Sequence, residues 1–287
     1  MNTLPEASEE AMLPTDEDVQ HYREHGWWVS GKIVPDELLD AAIEASERYY
    51  AGGLDDGPDL HEWCYPPQPP LPGLRKNDYA SLRCRALMDV VRLPAIVEIA
   101  ARLRGARGFR LWHDQLLYKP PSEPGALNNV GWHTDRSYWL SCTADDMLTA
   151  WVPFHTITPG HGPLMMIDGS NQWSEGPPKT EFFRQDIEVQ ESEIRQGRTI
   201  EKVPILLERG QVSFHHCRTF HGSGPNHSTE PRRSLAVHLQ PLDNRASGAV
   251  GPDGERITHP SDFLCRWDGD LPDYTDPQIF PVLQLDH

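Results

Sequence analysis

Positive charge is scarce in this chain of 287 residues: 26 Lys and Arg stand against 43 Asp and Glu, a formal charge of −17 at pH 7. Its average field repels phosphate backbones and anionic bilayer surfaces, so neither nucleic acid nor a membrane is expected as a partner. Weakly, it also disfavours a highly anionic acyl-CoA, and neither an adenine-nucleotide motif nor a strongly basic stretch speaks for one. Long apolar runs are missing; no segment approaches the roughly 20 residues of a membrane span. Cys64, Cys84, Cys142, Cys217 and Cys265 are odd in number, widely spaced and without a CxxC pair, which argues against a zinc ribbon or a disulfide framework. Reduced thiols and a cytoplasmic setting are expected. Glu6, Glu9, Glu10, Asp16, Glu17 and Asp18 stand where a signal peptide needs a basic and then an apolar run. No internal repeat is present, and one chain gives no reading of oligomeric state.

Proline and glycine, by contrast, are abundant, with 27 and 22 residues, and short apolar runs between them predict a loop-rich, mainly β fold with flanking helices. Residues 1–14 read as a flexible acidic lead-in. From 15 to 287 a single catalytic domain is expected: helical support over about 15–108, a jelly-roll core over about 109–241 and a C-terminal wrap over 242–287, without a core of its own. Helices are predicted from Asp16 to about Glu24, from Pro35-Asp36-Glu37 to about Tyr50, and over about Tyr79–Leu103 with a break at Pro94. Strands are predicted at Trp27–Val29, Phe109–His113, Gln115–Lys119, Leu148–Thr156, Leu164–Ile167, Val203–Leu207, Val212–His216 and Arg233–Gln240. Two irregular stretches, 51–76 and 171–202, are candidate substrate lids, the second with a helical turn.

The chemistry concentrates in Gly131-Trp132-His133-Thr134-Asp135 and, nearly ninety residues on, Phe220-His221-Gly222-Ser223-Gly224-Pro225-Asn226. On an extended segment, residues two apart face the same side, so His133 and Asp135 can grip one metal ion. A distant His221 completes two imidazoles and one carboxylate on one face of it, the set that suits Fe(II) with open positions for a co-substrate and O2. Arg232 follows eleven residues later, and a guanidinium can take a carboxylate bidentately. These residues suggest a non-haem iron oxygenase using 2-oxoglutarate.

The GWHTD and HGSGPN segments with the Arg beyond them resemble the phytanoyl-CoA dioxygenase family of Fe(II)/2-oxoglutarate oxygenases. The likeness runs over roughly residues 17–245, through Gln115 to Lys119, Thr149-Ala150-Trp151, Gly162-Pro163-Leu164 and Asp168-Gly169-Ser170. It implies a double-stranded β-helix, or cupin-like jelly roll, in which His133, Asp135 and His221 bind Fe(II). Arg232, rather than Arg233, holds 2-oxoglutarate with help from the Thr149 hydroxyl, and Gln115 approaches the same co-substrate. Strand alternation puts Arg232, Ser234, Ala236 and His238 on one face. Lys119 shares the face of Gln115, but a solvated strand-end lysine is expected there. The implied reaction is hydroxylation of an unactivated carbon, with O2 consumed and succinate and CO2 released. The substrate reading is a small molecule or secondary metabolite. An acyl-thioester hydroxylase, a zinc-dependent hydrolase and a catalytically silent ligand-binding barrel stand as alternatives.

Trp132, Arg136, Tyr138, Trp139 and Phe220 crowd the two motifs and form the candidate substrate pocket, with barrel packing an even alternative for Trp132 and Phe220. His113, His155, His161, His215 and His216 are read as core or surface histidines and not as ligands.

Overall fold

The computed structural model describes residues 13–68, 70, 73–123, 128–173 and 181–283; most of the acidic lead-in and parts of both candidate lids lie outside them. Helix α1 (Asp16–His25) begins where Thr15 and Asp18 cap each other reciprocally and ends at Gly26, whose φ of 81° is left-handed. Strand β1 (Trp27–Val29) follows, then α2 (Asp36–Tyr50), with Leu39, Ala42, Ala45 and Tyr49 buried along one stripe. The segment expected to be wholly irregular contains a 3-10 turn at Glu62–Cys64 and gives way to strand β2 (Arg75–Asp78). The single broken helix expected next resolves into a 3-10 turn (Ala80–Arg83), α3 (Arg85–Val91) and α4 (Pro94–Arg104), with Pro94 in the first turn of α4, where its missing N–H costs nothing.

Eleven strands and one helix follow among the described residues: β3 (Phe109–Lys119), β4 (Val130–His133), β5 (Leu148–Pro153), β6 (Leu164–Ile167), α5 (Ile187–Arg195), β7 (Lys202–Ile205), β8 (Ser213–His216), β9 (His221–Ser223), β10 (Arg232–Pro241) and three two-residue strands. The last three are β11 (Trp267–Asp268), β12 (Leu271–Pro272) and β13 (Val282–Leu283). The major sheet runs β1-β8-β5-β10-β3-β13, with β2 also on β3; the minor sheet runs β4-β9-β6-β7. Every pairing is antiparallel, and the two sheets face each other as a jelly roll.

Where two strands were expected before Lys119, β3 is continuous. Its partner β10 steps from His238↔His113 to Leu239↔Leu111, so Trp112 is an extra, bulged residue. The outer edge of β3 is covered in two halves, by β2 along Gln115 to Tyr118 and by β13 at Phe109 and Arg110, which leaves no open edge for another chain to pair with along those residues.

Alternation sorts the side chains of the major sheet. Leu148, Ala150, Val152, Phe214, Leu235, Val237 and Leu239 join Leu39, Val90, Ile96 and Ile99 of the helices in one large core. The opposite face turns to the minor sheet, where Trp151, Leu164, Met166, Ile205 and Ala236 form a smaller cluster. The C-terminal segment does more than wrap: Tyr274, Ile279, Phe280 and Leu283 belong to the large core, and the Phe280 ring stacks on Trp112 at 5.3 Å with the planes 8° apart. Phe280→Ala is therefore expected to cost about 3–5 kcal/mol of stability, measured by urea unfolding; a loss under about 1 kcal/mol would make the tail dispensable.

Asp114, in the middle of β3, is fully buried and accepts hydrogen bonds from the Ser81 backbone N–H at 3.1 Å and its hydroxyl at 2.6 Å. Burial pushes its carboxyl up to about 7 from an ordinary 3.8. The folded state therefore holds this proton more tightly than the unfolded chain, and stability from this group falls as pH rises from about 4 to about 7. Across that window wild type should lose stability relative to Asp114→Asn, read from paired denaturation curves; parallel pH profiles would show an ordinary carboxylate.

Candidate metal and co-substrate site

The site begins with the pairing of two short strands. β4 and β9 place His133 opposite His221, bringing the ring centroids to 4.1 Å. Glycine is required on both strands, at Gly222 by the pairing itself and at Gly131 by the segment packed over β4. A Cβ at Gly222 would meet the Val130 carbonyl at 2.9 Å, and one at Gly131 would meet the Glu181 carbonyl at 2.5 Å. Asp135 does not continue the strand as alternation from His133 implied. The chain leaves β4 after His133, and Thr134, with extended backbone, caps a 3-10 turn that starts at Asp135. His133, Asp135 and His221, all buried, nevertheless offer ligand atoms within 4.8 Å of one another.

Hydrogen bonds fix which atoms face inward. His133 Nδ1 lies 2.8 Å from the Gly131 carbonyl and His221 Nδ1 lies 2.9 Å from the Thr219 carbonyl. A carbonyl only accepts, so both Nδ1 atoms carry hydrogen and both Nε2 lone pairs are free for a metal. The Nε2 of His221 is 3.6 Å from Asp135 Oδ1. The other carboxylate oxygen, Oδ2, accepts from the Thr149 hydroxyl at 2.6 Å and lies 3.3 Å from His215 Nε2. Burial lowers the proton affinity of His133, and that of His221 further, with help from their neighbouring imidazoles. Burial opposes the charge of Asp135, but His221, His238 and His215 outweigh it and hold the carboxyl well below the ordinary range. Two neutral imidazoles and one carboxylate therefore present two nitrogens and one oxygen, a donor set that fits Fe(II) and contains no thiolate.

Thr149 is bonded to Asp135. Its one hydrogen goes to Oδ2, and its oxygen accepts from His238 Nδ1 at 2.7 Å. These bonds hold the Asp135 carboxylate in place.

Arg232, the first residue of β10, is 2% exposed and donates through Nη1 to the Gly162 carbonyl, with its guanidinium 5.5 Å from the Trp151 ring centroid. Arg233 faces the other way and pairs with Glu47 at 2.8 Å. The expectation of a solvated Lys119 is overturned: Lys119 is fully buried, with Nζ donating to the Ser223 hydroxyl at 2.5 Å and the Gly224 carbonyl at 2.7 Å. Among the described residues no carboxylate pairs with either cation. Burial pulls Arg232 down to about 10 and Lys119 well below its ordinary value, with the Arg232 charge adding to the effect. Arg232, Ser223, Gln115, Thr149 and the three metal-ligating candidates line one small cavity.

A larger cavity of about 350 Å³ opens on the side of His133 and Asp135. Tyr138 and Trp139 line it, as expected of pocket residues, but Trp132, Arg136 and Phe220 do not. Trp132 and Phe220 sit in a separate apolar cluster with Ile167 and Ile194 under α5, because on a strand they alternate with the ligands they adjoin. Arg136 donates back to the Trp139 carbonyl. Sequence reasoning missed Lys76, Asp78, Tyr79, Phe182, His238 and His259 as lining residues. His238 was legible from strand alternation; the others arrive on β2 and on loops whose course no periodicity gives. Of the two lid candidates, 171–202 supplies Phe182, its ring 5.1 Å from His133, and the earlier one reaches the cavity only at Lys76.

With the geometry in place, the comparisons identify the lineage. The Phytanoyl-CoA dioxygenase (PhyH) family matches residues 72–234, and the chain belongs to that family. A probable alpha-ketoglutarate-dependent hypophosphite dioxygenase of Stutzerimonas stutzeri is 30% identical over 182 residues, 59% of this chain and 58% of that protein. The human peroxisomal phytanoyl-CoA dioxygenase is 26% identical over 60% of this chain and 51% of its own length. The chain therefore spans between half and three-fifths of these relatives. The fold is shared with the nogalamycin carbocyclase SnoK, at TM-score 0.72 and 21% identity over 98% of this chain and 100% of that one. It is shared too with the epimerase SnoN in complex with Fe3+, alpha ketoglutarate and nogalamycin RO, at 0.68 and 19% over 94% and 98%. Among the described residues no helix is long and apolar enough to cross a membrane.

Thr149→Val keeps the shape of the side chain and removes both hydrogen bonds. Losing such support for a ligand is expected to weaken Fe(II) binding about 10–100-fold, read by anaerobic metal titration; unchanged affinity would remove Thr149 from the site.

Proposed function

We propose that this chain is an Fe(II)- and 2-oxoglutarate-dependent dioxygenase that hydroxylates a small molecule, with His133, Asp135 and His221 as the metal ligands. The carrying observation is that one cavity joins a face of two nitrogens and one oxygen to the buried Arg232, which no carboxylate pairs among the described residues, with Ser223, held by the buried Lys119, on the same lining. A buried charge is costly unless paired, and the distal carboxylate of 2-oxoglutarate supplies that pair. Bound together, iron, 2-oxoglutarate and O2 supply the oxidising power, with one oxygen atom leaving in succinate and the other entering the substrate.

The protein's own contribution is placement. Arg232 receives the anion, Lys119 holds the Ser223 hydroxyl beside it, and Gln115 borders both cavities. Thr149 keeps Oδ2 of Asp135 occupied, so Oδ1 is the oxygen left to face the metal. Trp151 and Leu164 keep the cation end dry, which strengthens its electrostatics. A zinc hydrolase could use the same three donors, but it gives the buried Arg232 and Lys119 no anion to meet. Five buried, unpaired cysteines support a reducing, cytoplasmic setting.

The test is anaerobic visible spectroscopy of the protein titrated with Fe(II) and then 2-oxoglutarate. A charge-transfer band is expected only with both present, followed by oxygen-dependent succinate. His221→Ala should abolish the band. Arg232→Ala should raise the 2-oxoglutarate requirement by about 30-fold or more, the usual loss when one partner of a buried charged pair is truncated. Metal binding with no band and no succinate would favour the hydrolase or a silent barrel.

A further inference from the structure

The larger cavity carries information about the substrate that the metal site does not. Its walls are aromatic: Tyr79, Tyr138, Trp139 and Phe182. Tyr79 holds a left-handed φ of 63°, a costly conformation for a bulky side chain. It is kept there by its backbone N–H on the Asp114 carbonyl at 2.9 Å and its hydroxyl 2.6 Å from Ser261 Oγ.

One end of the cavity is polar, and its hydrogen-bonding sense can be worked out. Asp135 has no proton to give, so the Thr149 hydroxyl donates to it and must accept from His238 Nδ1–H. His238 Nε2 is then a bare acceptor, buried and without a partner among the described residues. His259 is the opposite tautomer: its Nδ1 accepts from the Ser261 backbone N–H at 3.2 Å, which puts its proton on Nε2. Between them His113, 5% exposed, has no hydrogen-bond partner at either nitrogen among the described residues, its ring 4.3 Å from His238 and 5.3 Å from His259. Unsatisfied buried groups at a cavity wall call for a ligand that satisfies them. The cation present, Lys76, is already neutralised by Asp78 at 2.6 and 2.8 Å, so a Lys–Asp pair faces the same space as donor beside acceptor.

We propose that the substrate is a neutral, polyhydroxylated ring compound, its hydroxyl groups read by His238, His113, His259 and the Lys76–Asp78 pair and its faces stacked on the aromatic wall. This inference rests on the dioxygenase reading above. A hydroxyl both donates and accepts, and so matches an acceptor, a donor and a group of either sense in one pocket. An anion meets no uncompensated cation on that wall, which separates this cavity from the Arg232 end. An apolar acyl chain leaves the His238 and His113 imidazoles unsatisfied at a cost that a hydroxylated ligand avoids.

The test uses the full chain loaded with Fe(II) and 2-oxoglutarate, whose charge-transfer band reports the first reading before any substrate is added. Phenyl β-D-glucopyranoside, methyl β-D-glucopyranoside and myo-inositol are titrated under argon, against hypophosphite and decanoyl-CoA. Succinate is then counted after oxygen is admitted. At least one polyol should shift the band and raise the succinate rate about tenfold or more, with hypophosphite and decanoyl-CoA silent. His113→Phe and His113→Asn should each require about tenfold more of that polyol, the effect of losing a hydrogen bond to a buried group. A band that forms normally while all three polyols stay silent overturns this inference and leaves the dioxygenase standing. Stimulation by hypophosphite or decanoyl-CoA, or a polyol response that neither His113 variant changes, also overturns it. Absence of the band in wild type removes both readings together.

Discussion

The antiparallel contact between β4 and β9 is the constraint on which the site depends. Three or four residues on each side bring His133 and His221, 88 positions apart in the chain, into facing register. The approach tolerates no side chain at Gly222, and the Glu181 backbone packed over β4 tolerates none at Gly131, so the glycines of both motifs are packing requirements before they are anything else. Each imidazole is then turned by a carbonyl two residues upstream, and the carboxylate arrives from the 3-10 turn that follows. Remove the register and three ordinary buried side chains remain.

Around that contact the two sheets divide the labour. The major sheet contributes an inward row of which one end, Arg232, is cationic and the other, His238, is a hydrogen-bond acceptor. The metal-ligating candidates lie between them. One strand therefore sets a cationic end and a hydrogen-bond-accepting end on either side of the same centre. β3, running alongside, reinforces the polarity with Lys119 at the anion end and His113 at the other. The extra residue at Trp112 sends the first part of β3 into the packing against Phe280.

Much of this was legible from residue order, because the signals were local. The metal-ligating candidates stood in two short motifs, the flanking helices had caps and stripes, and the row from Arg232 to His238 followed from alternation alone. What could not be read came from distant segments. Lys119 looks like a strand-end lysine until Ser223 and Gly224 close over it. Trp132 and Phe220 adjoin ligands in sequence and so point away from them in space. Thr149 was placed in the site, but its partner depended on how far Asp135 swings out of line after β4, and a local turn decided that. Tyr274 and Phe280, in a segment rich in Pro, Gly and Asp, showed no periodicity by which to assign them to the core.

The burial of Arg232 and Lys119 also sets how salt acts on this molecule. A dianion bound for that pair first crosses the field of a chain whose formal charge is −17, and only then meets attraction. Raising ionic strength from 0.01 to 0.15 M shortens the screening length from about 30 Å to about 8 Å. That weakens the outer repulsion and leaves the enclosed pair almost untouched. Under the proposed function, capture of the co-substrate quickens with added salt, the reverse of the steering by which most charged sites collect their ligands.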